Sequence, residues 1–582
     1  MNPSPSILPS QKMKRSFLPA SFTITDWQTL EPFYTKLSEM PLNDADSLVS
    51  FLTMRSELDS AVSEELAWRY IRMNCDTTNH KYAEEFDFFI REIEPFLAPV
   101  SDSLNRKTLD CRYTDQLTEP GYQIMFRNMK RSTELFREEN IPLQTELSSL
   151  QQEYGKISGS LTIIHEGKEL TLQQASKFLE EENRDLRKEV FEKICAARLS
   201  VKIALDDLLD QLIQKRQQVA RNAGFNNFRD YMHAELCRFD YSVEDCYAFH
   251  DSIRKHAVPY LNEIAASRKS LLGYEKYQAF DTEVDVYGSI PLRPFEASKE
   301  LVKKTLGTFQ AIDPFFSDCI HTMQEFGFLD LESRIGKAPG GFNYPMMESG
   351  IPFIFMNAVG SQKDLVTMVH EGGHAIHNFL SNHLKVSAFK STPSEVAELA
   401  SMSMELISME HWHVFYTDAQ ALLRAKCDQL EKVIETLPWV ASIDCFQHIL
   451  YTEETDATGR SKKWSALHAL YSPKLVDYTG FEEYRANLWQ KQLHIYEVPF
   501  YYIEYGMAQL GAIAVWRNYK TQPEKAIAQY KAALAAGNTV GIREIYEIAG
   551  IRFDFSDQYV KELMDFTWNE LQILKAGLKS LA

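Results

Sequence analysis

Apolar residues recur at three- and four-residue intervals, with charges between them, across residues 45–74, 82–97, 121–158 and, with one break, 172–221. Only a helix turns that spacing into one buried stripe, so this part of the chain can fold into little but packed helices. Two interruptions punctuate it. Leu161-Thr162-Ile163-Ile164-His165, Glu166-Gly167 and Lys168-Glu169-Leu170-Thr171 read as a small hairpin with an acidic residue and a glycine at its turn. Asn222-Ala223-Gly224-Phe225 carries a helix stop, and a lobe boundary is placed near Lys202. Residues 282–361 differ, being richer in Gly, Pro and β-formers: Val284-Asp285-Val286-Tyr287, Gly340-Gly341-Phe342-Asn343-Tyr344 and Ile351-Pro352-Phe353-Ile354-Phe355-Met356-Asn357 predict loops and a small sheet. Pro352 cannot donate to a neighbouring ladder, which predicts that the last run is an edge strand, either purely structural or open to pairing with an extended peptide.

The fold class is therefore mainly α, with a small β-sheet. A chain of 582 residues can bury a large core divided into two or more lobes. Its formal charge of -19 repels phosphate backbones and anionic lipid, so no nucleic acid or membrane partner is expected. The eight cysteines are scattered without any Cys-x-x-Cys pair, a pattern of reduced thiols that predicts a cytoplasmic address. Residues 1–25 are Ser- and Pro-rich and free of acids; they read as a disordered start, with a faint likeness to an organelle transit sequence as the alternative.

Chemistry concentrates in one predicted helix. Ser361 and Asp364 are spaced as a capping pair, and helix formers follow to Leu380. Within that run stands His370-Glu371-Gly372-Gly373-His374. At 3.6 residues per turn His370 and His374 lie one above the other and can reach one tetrahedral ion, whereas Glu371 projects about 100° from the first and about 60° from the second. That carboxylate is aimed at a water rather than at the metal.

A catalytic zinc site needs three protein ligands and one open position. The spacing His-Glu-x-x-His-x-x-Gly-x-x-His fails here, because His377 and Leu380 occupy its last two defined places. Acids on the next predicted helix are better candidates. Thr392, Pro393 and Glu395 fit an N-cap, a first helical position and a capping-box acid, which gives Glu395 a local role. Glu398, among Val396, Ala397, Leu399 and Ala400, is costly to bury unless it is paired or metal-bound, so it is the candidate third ligand. Glu405, two turns on, could orient a ligand histidine or be an ordinary surface acid. His377 shares the face of His370 but would be a third ligand from one rigid helix, and is read as supporting or structural. His411 and His413, flanking Trp412, are read as packing.

These residues resemble the oligoendopeptidase F group of the thimet oligopeptidase family of zinc peptidases. The likeness is carried by His370-Glu371-Gly372-Gly373-His374-Ala375-Ile376-His377, by Val396-Ala397-Glu398-Leu399-Ala400-Ser401 with Glu405, and by His494-Ile495-Tyr496-Glu497-Val498-Pro499-Phe500-Tyr501-Tyr502-Ile503-Glu504-Tyr505-Gly506. It extends over most of the chain beyond Tyr113, the first hundred residues being less distinctive. The resemblance implies a helical ellipsoid with a deep substrate channel between lobes, one zinc ion per chain, and cleavage of internal bonds in short unstructured oligopeptides. It supports Glu398 as a ligand beside His370 and His374, independently of the capping argument, and it places His494, Tyr502 and Tyr505 against the substrate carbonyl. If Pro499 opens a helix, spacing alone would equally put Tyr501 and Tyr505 on one face. It also suggests a tail over 1–25, an N-terminal helical lobe over 26–201 with a family-type N-terminal domain near 113–185, and a catalytic domain over 202–582.

One departure stands out. Where the family often has an aromatic or other side chain this chain has Gly372, and two successive helical glycines cost about 1 kcal/mol each relative to alanine. The expected reaction is zinc-assisted peptide hydrolysis with Glu371 moving the proton. The alternatives are a carboxypeptidase-type exopeptidase and a non-catalytic peptide-binding protein with a residual metal site. Cleavage preference and oligomeric state are written in none of these patterns.

Overall fold

A computed structural model describes residues 15–287, 291–334, 336–338 and 340–581. The described chain is mainly helical, with three small sheets. Its contacts sort it into two compact units that interleave along the sequence. The first gathers the chain up to Ile141 with Arg293–Thr417 and Gly511–Phe553; the second gathers Pro142–Leu292, Asp418–Leu510 and Asp554–Ala582. The junction near Lys202 is a break at Val201 between the helices Arg184–Ser200 and Lys202–Asn222, both of which lie in the second unit.

In the first unit the periodic stretches become the helices Ala45–Cys75, His80–Glu92, Glu94–Leu109 and Pro120–Leu135. Leu30, Leu37, Leu48, Phe51, Leu58 and Leu104 fill the core between them. Of the residues expected to form a disordered start, 1–14 lie outside those described, while from Arg15 onward the chain is packed. Phe17, Leu18 and Ile24 are buried in this core, and Arg15 forms an ion pair with Glu348. Three apolar side chains thus hold a segment whose Ser, Pro and basic content suggested solvent.

The unit's sheet has Phe353–Ala358 at its centre, parallel to Leu329–Glu332 and antiparallel to Phe342–Tyr344. The expectation of an edge strand at 351–357 is therefore corrected. Pro352 sits just before the first paired residue, where its missing N–H costs the ladder nothing, and Phe353–Met356 are buried on both faces as a central strand requires. The edges are instead Leu329–Glu332 and Phe342–Tyr344. Residues 284–287 form bends rather than a strand.

The second unit is organised on the helix Ala419–Thr452, which packs against Val243–His256, Ala457–Tyr471 and Asp557–Leu581. On it Glu431 is buried among Arg268, Lys575 and the Tyr287 hydroxyl. The hairpin forms as read, pairing Thr162–His165 with Lys168–Thr171 through a turn whose residues Glu166 and Gly167 both have positive φ, the twist that suits a two-residue loop. Among the described residues no helix is long and apolar enough to cross a membrane, and the eight cysteines are free thiols.

Candidate metal centre and active site

The helix Gln362–Ser381 begins at a capping box: Asp364 N–H donates to Ser361 Oγ at 3.3 Å, and Ser361 N–H donates to Asp364 Oδ2 at 2.8 Å. Leu365, Met368, Val369, Ile376 and Phe379 bury its inner face completely. The helix beneath it, Ser394–Met409, starts one residue later than its capping signals suggested. Pro393 keeps an extended ψ of 148° and makes no side-chain cap, and Glu395 is buried.

The two helices meet backbone to backbone at Gly373. A Cβ on Gly373 would lie 2.6 Å from Ser401 Cα and 2.8 Å from the Ala400 carbonyl oxygen, distances that no side chain tolerates. The glycine that weakens the helix locally is what lets it approach the chain segment bearing Glu398. Gly372 faces the Phe309 ring instead, 2.8 Å from where its Cβ would be.

The approach brings donor atoms together. His370 Nε2 lies 3.5 Å and His374 Nε2 3.7 Å from Glu398 Oε2, and one ligand atom from each residue falls within 4.8 Å of the others. Ligands about 2.1 Å from a tetrahedral ion are separated by about 3.4 Å, so two imidazole nitrogens and one carboxylate oxygen fit a zinc ion in both chemistry and spacing. Glu405 Oε1 accepts from His370 Nδ1 at 2.7 Å, which fixes that ring and leaves Nε2 toward the other donors. Ser401 Oγ donates to Glu398 Oε2 at 3.1 Å.

The electrostatics follow from crowding ionisable groups in a buried place. Burial opposes a charge on His370, but the Glu405 hydrogen bond with the Glu371 and Glu398 carboxylates outweighs it and pushes the imidazole up to about 10. Burial, and then the His370 charge, hold His374 well below its ordinary value. Glu371 is pushed up to about 7, chiefly by burial, with Glu398 adding to the rise and His370 opposing it. Its backbone carbonyl accepts from Asn343 Nδ2 at 3.2 Å, so that edge strand is tied to the motif helix. His377 is buried beyond the ligand group and pushed down to about 4 by that burial. His411 Nε2 lies 2.8 Å from the Tyr519 hydroxyl.

His494, Tyr502 and Tyr505 form a second cluster, within the second unit. Ring centroids lie 4.7 Å apart for His494–Tyr502, 5.6 Å for His494–Tyr505 and 5.3 Å for Tyr502–Tyr505, and Tyr501 joins at 5.3 Å from Tyr505. The helix here starts at Ile503, not at Pro499, because Phe500 takes a left-handed backbone with φ 66°. Burial pushes His494 down to about 4 and Tyr502 up to about 12, so His494 is uncharged near neutral pH and Tyr502 keeps its hydroxyl proton. Gln492 Nε2 donates to His494 Nδ1 at 2.7 Å and Trp439 Nε1 donates to Gln492 Oε1 at 3.0 Å. Neither Gln492 nor Trp439 was found in the sequence reading, and Asn343 was seen only as part of a strand. A lone amide or indole carries no local signal of such a contact.

Comparison with known proteins decides the family. The profile described as Peptidase family M3 matches residues 177–565, and that described as Peptidase M3 N-terminal domain matches residues 17–136. The chain belongs to peptidase family M3. Similar relatives include an oligoendopeptidase F homolog of Borreliella burgdorferi, 23% identical over 396 residues that cover 66% of this chain and 64% of that one. Oligopeptidase PepF of Bacillus subtilis is 22% identical over 389 residues, covering 66% of this chain and 56% of that one. The chain thus spans less than two thirds of the length of these curated relatives. Among solved structures, PZ peptidase A with an inhibitor superposes with a TM-score of 0.90 at 25% identity, covering 96% of this chain and 99% of that one. Oligoendopeptidase-F from Enterococcus faecium shares the fold at a TM-score of 0.65 and 17% identity, over 96% of this chain and 98% of that one.

Proposed function

We propose that this M3-family chain is a zinc-dependent endopeptidase that hydrolyses internal bonds of short, unstructured oligopeptides. The observation that carries the reading is the convergence of His370 Nε2, His374 Nε2 and Glu398 Oε2, with Glu371 buried beside them on the same turn of helix. A zinc ion held by His370, His374 and Glu398 would supply Lewis acidity toward the scissile carbonyl and the attacking water. Glu371 takes the proton of that water on its carboxylate and then delivers a proton to the leaving amine. Glu405 holds His370 in the orientation that presents Nε2.

The proposal assigns His494, Tyr502 and Tyr505 to the substrate carbonyl as hydrogen-bond donors while negative charge develops on its oxygen. The raised Tyr502 keeps a proton to donate. Oligopeptides as substrates fit the names of the relatives, and eight free thiols support a reducing, cytoplasmic setting. The test is cleavage of a quenched internal peptide blocked at both ends, measured with and without chelator beside zinc stoichiometry. Chelator-sensitive cleavage with one zinc per chain is expected. Cleavage only of peptides with a free terminus would favour an exopeptidase, and zinc without turnover a binding protein.

A further inference from the structure

Among the described residues three that are not glycine have positive φ: Glu166, Cys237 and Phe500. The first sits at a hairpin tip, where such a backbone is ordinary. The other two meet at one side chain. Arg238 follows Cys237, whose φ is 52°, and its Nη2 donates to the carbonyl oxygen of Phe500, whose φ is 66°. A bulky, wholly buried phenylalanine in the left-handed region persists only where its surroundings over-determine it.

Those surroundings are specific. Phe500 N–H donates to Gln447 Oε1 at 2.6 Å, and the same Arg238 Nη2 donates to Glu504 Oε1 at 2.7 Å, the two ionic side chains being 1% and 3% exposed. The Phe500 ring lies 5.5 Å from both His448 and Tyr451. His448 is itself fixed, since Asp444 Oδ2 is shared by the Nε2 atoms of His250 at 2.7 Å and His448 at 3.2 Å. Arg238 therefore ties the Phe500–Tyr501 peptide to the helical turn that carries Tyr505, and Gln447 holds the preceding peptide, Pro499–Phe500, so that both peptides flanking the Phe500 Cα are fixed.

We propose that Arg238, Gln447 and Glu504 are positioning residues, which hold the Phe500 backbone in its left-handed turn and so fix the Tyr502 and Tyr505 hydroxyls for the reaction. The inference rests on the peptidase reading above. Strain stored two residues from a hydroxyl assigned to the transition state is the expected place for it: a small displacement of such a group costs turnover far more than it costs substrate affinity.

The experiment measures kcat and KM on the blocked internal peptide, zinc content and thermal melting for the full chain and four variants. Arg238→Lys ends one bond short of the Nη2 position, so its nitrogen cannot reach both the Phe500 carbonyl and Glu504, and Gln447→Leu removes the acceptor for Phe500 N–H. Each is expected to lower kcat by about 10- to 100-fold, with KM changed by no more than about 3-fold and zinc content unaltered. Phe500→Gly and Phe500→Val both lose the ring, but only glycine takes positive φ without strain; the valine variant is expected to have a kcat about 10-fold below the glycine variant. The phenylalanine pair and Gln447→Leu decide the matter if Arg238→Lys does not fold. Folded clamp variants with wild-type kcat, or equal kcat in the glycine and valine variants, would overturn this inference alone. A wild-type chain without chelator-sensitive cleavage would overturn the peptidase reading and this inference with it.

Discussion

The two chemical clusters are built in opposite ways. The donors His370, His374 and Glu398 come from two helices close in the chain, parted only by the short helix Ser387–Lys390, and their spacing is set by a backbone contact at Gly373. His494, Tyr502 and Tyr505 come from a short irregular stretch, whose shape is set by side chains as distant in sequence as Arg238 and Gln447. A site made by helix packing has its geometry written locally and breaks when the helices part. A site made by hydrogen bonds onto irregular backbone is tuned in small steps by residues that never touch substrate.

The largest effect should come from Glu371, which holds no donor atom in the metal set. Glu371→Gln is expected to lower kcat by about 10³-fold while zinc content stays at the wild-type value. Turnover within a few-fold of wild type would show that another group moves the proton. Glu405 tests the ring that the first cluster must hold still. Glu405→Ala is expected to weaken zinc affinity by about 10- to 100-fold in a competition with a chelator, with a matching loss of activity only at limiting zinc. An unchanged affinity would mean that packing alone orients His370.

The glycine pair separates the backbone argument from ordinary helix propensity. Alanine at either position should gain about 1 kcal/mol of helix preference. At Gly373 the added methyl meets Ser401 Cα and the Ala400 carbonyl, which cannot yield without moving the second helix, so Gly373→Ala is expected to destabilise by about 2 kcal/mol and to lose zinc affinity. At Gly372 the atoms nearest the methyl belong to the Phe309 ring and to Ile320 Cδ1, side-chain atoms that can shift, so Gly372→Ala is expected to cost less and keep its zinc. Melting curves and zinc titrations of the two variants side by side check this. Equal behaviour would remove the claim that Gly373 sets the ligand spacing.

How much was legible in the sequence follows the same division. The periodic helices, the hairpin and the motif helix with its Ser361–Asp364 cap were readable because each rests on neighbours within a few residues. That His370 and His374 lie together was readable because helix geometry converts spacing into direction, and that Glu398 joins them because an acid among apolar neighbours needs a partner; for Glu405 the spacing left an ordinary surface acid as the alternative. Three features were not. The central position of Phe353–Ala358 depends on which strands arrive on either side, and Pro352 misled because it lies just outside the ladder. Arg15 to Thr25 looked like solvent-exposed chain, since the core that receives Phe17 and Leu18 comes from helices further on. The start of the helix at Ile503 depends on Phe500 being held left-handed, by groups with no signature in the nearby sequence.

The smallest effect should come from Trp439, and it tests how finely the second cluster is set. An indole N–H can only donate, so the Gln492 atom it meets at 3.0 Å must be the amide oxygen. The Gln492 amide nitrogen is then the group 2.7 Å from His494 Nδ1 and donates to it. His494, uncharged at neutral pH because burial pushes it down to about 4, must therefore carry its proton on Nε2, the nitrogen 3.4 Å from the Tyr505 hydroxyl. Trp439→Phe keeps an aromatic ring but frees Gln492 to turn over, so the neutral imidazole can place its proton on either nitrogen. Losing one neutral hydrogen bond, about 1 kcal/mol, corresponds to about a 5-fold fall in kcat, with zinc content unaltered. Nitrogen NMR of the His494 ring should show a single Nε2–H tautomer in the wild type and a mixture in the variant. A mixture already present in the wild type would mean that Trp439 and Gln492 do not set the tautomer.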